Sequence, residues 1–99
     1  NSFKENIQSK FDKNKSNEEI GKDISAFIQE STKDGLSNST AQKYLLESLK
    51  EYAKTTGDLE FAERLLRDLP NHLKLGTDSL AKVKGLENDF DEIKQSIDD

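Results

Sequence analysis

Asp12, Asn14 and Ser16 fall at alternate positions with Asp23 at the twelfth, so four oxygen-bearing side chains follow the spacing of a calcium-binding loop. That geometry also needs a glycine at the sixth position and an apolar residue at the eighth. Here those positions hold Asn17 and Glu19. Ser16 and Glu19 fit better as a capping box, in which the serine accepts from the first free amides of a helix and the glutamate reaches back to the cap. His72 is the only histidine and there is no cysteine, so a transition metal would find no second nitrogen, no sulfur and no close carboxylate cluster beside it in the sequence pattern. Neither G-x-S-x-G, a P-loop nor G-x-G-x-x-G occurs, and the carboxylates are spread as helix-surface charge rather than paired. The reading is of no catalytic residue, no metal site, no cofactor and no small-molecule substrate: a protein that is not an enzyme.

Two further patterns are explained by helix starts. Asn14-Lys15-Ser16 and Asn38-Ser39-Thr40 satisfy the glycosylation sequon, and both coincide with capping positions. The stretch Leu36 to Leu45 resembles the second helix of a helix-turn-helix DNA reader, with recognition beginning near Ser39. The link before it is longer than that tight turn allows, and Lys43 is the only cation between residues 37 and 48. Phosphate neutralisation asks for several. Nucleic-acid recognition is therefore the alternative reading and is disfavoured.

Fifteen basic and twenty acidic residues give a net charge of −5, which opposes nonspecific attraction to phosphate or anionic lipid. Only 31% of residues are hydrophobic and 35% are charged, as in amphipathic helices with broad solvated faces. No apolar run approaches the roughly 20 residues that span a bilayer, and no signal-peptide pattern is present; the chain reads as soluble, its compartment left open. At 99 residues it is read as one all-helical domain, thin and elongated in shape.

The elements follow from periodicity. Phe3, Ile7 and Phe11 form one stripe of a first helix to about Lys13, and Ile20, Ile24, Phe27 and Ile28 form that of a second, ending at Lys33-Asp34-Gly35. A third helix, capped by Ser37 or Asn38, carries the wide stripe Ala41, Leu45, Leu49, Tyr52 and Ala53. It is expected to be contacted from two sides, as the centre of the domain. Gly57 ends it and Asp58 caps a fourth, whose inward positions are Leu59, Ala62, Leu65, Leu66 and Leu69 and which Pro70 stops. Residues 71–76 form a connector with Leu73 and Leu75 as anchors and His72 exposed. A long C-terminal helix starts at Thr77, with Leu80, Val83, Leu86, Phe90, Ile93 and Ile97 as a seam close to that of a coiled coil. Its terminal carboxylates oppose the helix dipole, and the chain has no methionine; both suggest a segment of a longer protein. The fold class is all-α: four to five amphipathic helices as an antiparallel bundle or a short solenoid-like stack.

From Leu46 to Leu69 the hairpin is similar to a tetratricopeptide unit, with Leu46, Leu49 and Ala53 at first-helix packing positions, Gly57-Asp58 at the turn, and Ala62, Leu66 and Leu69 in the second helix. It departs where the usual first-helix glycine is Lys50 and where Pro70 follows, and there is no second copy at the repeat period. More loosely, Tyr52 to Ala62 resembles hairpins of the helical internal virion proteins of tailed bacteriophages, which would imply a structural role in a large assembly. The functional expectation is a helical structural or protein-interaction module, engaging a protein partner or a second copy through helix faces. Tyr44, Leu46, Phe61, Leu86, Phe90, Ile93 and Ile97 are its candidate contact residues, being those least obviously used by one core.

Overall fold

The computed structural model describes residues 2–98, with side chains described to residue 96. It contains five helices: α1 (Ser2–Gln8), α2 (Asn17–Lys33), α3 (Asn38–Thr56), α4 (Leu59–His72) and α5 (Thr77–Asp98). Among the described residues there is no strand. The radius of gyration is 13.0 Å, about what a 100-residue globule has, so the thin shape expected from composition is not adopted.

Local chemistry sets most boundaries. The Ser16 hydroxyl accepts from the Glu19 amide at 3.1 Å and starts α2, and Ser37 does the same for Thr40 at 3.2 Å to start α3. Gly57 ends α3 at φ +73°, a left-handed conformation that a Cβ would strain, and donates to the Ala53 carbonyl. Asp58 then accepts from the Phe61 amide and opens α4. The expected hairpin thus forms across Gly57-Asp58.

Both hairpin helices touch α2 on one side and α5 on the other, while α1 lies on α3. Leu45, Leu49, Ala53, Ala62, Leu65, Leu66 and Leu69 are fully buried where these layers meet. Phe11, Tyr52 and Phe61 continue the core at the turn end, with edge-on ring contacts at 5.4 and 6.0 Å.

Four local expectations are corrected. The first helix ends at Gln8 rather than near Lys13, because the Ser9 hydroxyl donates to the Asn6 carbonyl and the Asp12 carboxylate accepts the Asn14 amide. Such side chains compete with the helical ladder. Phe11 still reaches the core from the turn. Pro70 does not stop α4, which runs on to His72. A proline forfeits one amide donor and crowds the carbonyl four residues back, yet Asp68 and His72 pair across that turn at 3.0 Å and Leu73 donates to Leu69. His72 is therefore half-buried on α4, not exposed in a connector, and it packs on α2 so closely that a Cβ at Gly21 would lie 2.5 Å from its ring. Finally, Leu80 is 43% exposed and Ser79 takes the inward position, followed by Val83, Leu86 and Phe90.

Ser79 turns inward because Gln42 of α3 holds it. The Gln42 side-chain oxygen accepts from the Ser79 hydroxyl and from the Gly76 amide, and its amide donates to the Lys74 carbonyl at 3.2 Å. One residue thereby ties α3 to the whole α4–α5 connector. Farther along, Lys50 pairs with Asp89 at 3.1 Å, so α3 and α5 run parallel, each antiparallel to α4. Near its end α5 is held to α4 by Lys94 and Glu63, and Glu63 also pairs with Arg67 at 2.6 Å.

Two measurements test this packing. The Ser48 hydroxyl is enclosed without a hydrogen-bond partner among the described residues, so Ser48→Ala should stabilise the fold by about 1 kcal/mol. A melting temperature that falls would contradict that assignment. The second concerns Glu63, whose carboxyl is held below its ordinary value of 4.5, first by the Lys94 hydrogen bond and charge and then by Arg67, against the opposing effect of burial. A depressed carboxylate contributes stability above its unfolded pKa that is lost as pH falls through the folded one. Acidification from about pH 4.5 downward should therefore weaken the wild type more than Glu63→Gln, as read by urea unfolding at several pH values; parallel losses would sink the idea.

Candidate functional site

The parallel course of α3 and α5 leaves an open groove between them, of about 450 Å³. Its floor is Leu46 and Leu86, only 4% and 7% exposed. Lys43, Glu47 and Lys50 form the α3 wall, while Lys82, Gly85 and Asp89 form that of α5. Each wall repeats at i, i+3 or i+4, and i+7, so the groove follows two helical turns, roughly 10 Å. Parallel helices place both N-termini, with their partial positive charge, at the Lys43–Lys82 end.

Charge is unevenly compensated along it. Asp89 is taken by Lys50 at 3.1 Å and Glu47 by Lys4 at 3.4 Å. Lys43 and Lys82 are exposed and form no ion pair among the described residues. Three lysines against two carboxylates give the lining a formal +1, in a chain whose net charge is −5. Gly85 adds an open notch: a Cβ there would meet nothing within 4 Å. A glycine inside a helix destabilises it by about 1 kcal/mol relative to alanine, and no close contact within this chain accounts for it.

The candidate contact residues divide. Leu46 and Leu86 meet in the groove floor. Tyr44 is half-exposed at another site, its ring 5.6 Å from that of Phe3 and with the Lys4 ammonium 5.7 Å from its centroid. Phe61, expected to fall off the inward stripe of α4, is instead buried, because α4 is covered by α2, α3 and α5. Phe90 is fully buried, and Ile93 packs on the core half-buried. The side chain of Ile97 lies outside the described residues. Lys82, Gly85 and Asp89 carry no sequence pattern and Lys43 stands out only as the single cation of the helix-turn-helix-like stretch, although an isolated glycine within a helical period is a readable signal.

The other sequence candidates are committed elsewhere. Asp23 pairs with Lys15, Asp12 caps a turn and Ser16 caps α2, and among the described residues no group of three His, Cys, Asp or Glu side chains converges on a metal-sized site. Helix α3 is packed by four helices and exposes mainly Lys43, Glu47, Glu51 and Lys54, a stripe of mixed sign. The Gln42 side chain is already engaged in three hydrogen bonds to the connector and α5. Among the described residues no helix is long and apolar enough to cross a membrane.

Open space at Gly85 makes a direct prediction. Gly85→Ala should raise stability by about 1 kcal/mol, a gain of roughly 4–8 °C in melting temperature. A decrease would show that the notch is filled within the isolated chain. The chain matches no family model, curated protein or solved structure in the comparisons made.

Proposed function

We propose that this chain is a non-enzymatic helical interaction module, and that the α3/α5 groove is the face it presents to a protein partner. The observation that carries the reading is Gly85. A residue that weakens its own helix, and that no neighbour in the chain approaches, suits a surface on which another backbone or side chain comes close. The apolar floor of Leu46 and Leu86 with lysine stems on both sides supplies what a docking helix buries. A structural role within a larger assembly is the same chemistry with the partner permanently seated.

Wild type and Gly85→Arg, immobilised side by side, should recover different material from a lysate of the source. The variant fills the notch from an exposed position and should keep the wild-type melting temperature within a few degrees while losing the bound protein. Equal recovery by both, or salt-sensitive retention of duplex DNA that disappears in Lys43→Ala, would overturn the reading in favour of another surface or of nucleic acid.

A further inference from the structure

We propose that the α3/α5 groove takes an acidic amphipathic helix, which seats an apolar side chain in the notch at Gly85 and places carboxylates one turn away on Lys43 and Lys82. The proposal rests on the groove being the docking face and adds the chemistry of its occupant.

Charge complementarity selects the occupant. Glu47, midway along the α3 wall, and Asp89, at the far end of the groove, already have lysine partners, at 3.4 and 3.1 Å. At the near end Lys43 and Lys82 face solvent without one, each in the second turn of its helix. Asp78, also exposed there, is the nearest carboxylate in sequence and lies one turn before Lys82 on α5 without pairing to it. The positive end is therefore local, within a chain that repels acidic partners over most of its surface. An incoming helix gains by meeting it in one register only.

The spacing fixes that register. Lys43 precedes Leu46 by three residues, and Lys82 precedes Gly85 by three, about 4.5 Å along each axis. A partner helix with an apolar residue over Gly85 thus meets both lysines with residues three or four positions away on the same face. A second copy of this chain is a poorer fit, since the carboxylates its own groove face would offer, Glu47 and Asp89, are already held by Lys4 and Lys50. Duplex DNA gains the two lysines but leaves the apolar notch unfilled.

The test uses the intact chain and two synthetic helices of equal length, one with a leucine stripe flanked by glutamates and one with lysines in place of those glutamates. With five glycines in the chain, the Gly85 amide is readily followed by two-dimensional NMR. The acidic peptide should shift Gly85, Leu46 and Leu86 saturably, and Lys43→Glu combined with Lys82→Glu should weaken its binding at least tenfold. Those two lysines are exposed and unpaired, so the double variant should melt like the wild type. The basic peptide should bind at least tenfold more weakly than the acidic one. If both peptides shift Gly85 equally, the groove docks helices but the acidic occupant is wrong. If neither peptide shifts Gly85, or shifts cluster around Phe3, Phe27 and Tyr44 instead, both the occupant and the docking face are wrong. Concentration-dependent shifts at Gly85 without any peptide would replace the acidic helix by a second copy.

Discussion

Everything in this molecule depends on burying α3 from several sides with a small apolar inventory. A chain that is 31% hydrophobic cannot build several independent layers, so its leucines and isoleucines are concentrated where α3 and α4 face each other and their neighbours. Ala41, Ala53 and Ala62 are fully buried there. Small residues let helix axes approach, which brings more atoms into van der Waals contact per unit length. Without that close hairpin, α2 and α5 would have no common surface to cover.

The outer helices are then positioned by a few polar contacts of unequal kind. Gln42 fixes where α5 starts, by holding both the connector backbone and Ser79. Glu63 holds its later turns through Lys94, as a nearly buried acid paired with two cations. Exposed ion pairs contribute little, but a buried carboxylate that loses its partners is costly. Between those two points, Val83, Leu86 and Phe90 supply the apolar contact. The groove is a consequence: α5 is held near its start by Gln42 and farther along by Glu63, and between α3 and α5 Leu46 and Leu86 fill only the floor while Gly85 leaves the α5 wall open.

What could be read from the sequence was what local chemistry decides. Ser16, Ser37, Gly57 and Asp58 cap their helices through bonds to residues within four positions, so their effect is visible in a short window. The all-helical class and the central hairpin follow from the same windows plus periodicity. Phe61, Pro70 and Leu80 are not legible there for a shared reason, since each is decided by contacts made beyond its own turn. Phe61 is covered because α4 has three neighbours, the turn that holds Pro70 is packed on α2 through His72 at Gly21, and Leu80 yields its place because Gln42 captures Ser79. The pairs that build the groove, Lys50 with Asp89 and Gln42 with Ser79, are 39 and 37 residues apart in sequence, and no periodicity announces them.

Gly85 shows how folding and binding can pull one position in opposite directions. Selection for stability alone favours alanine there, because helix propensity rises and no atom stands in the way. Lys43 and Lys82 add an independent sign: both are exposed cations without an ion-pair partner among the described residues. All three positions line one open groove. A single occupant that is negatively charged beside the lysines and apolar over the glycine answers all three together. That convergence gives the groove more weight than any one of its residues does.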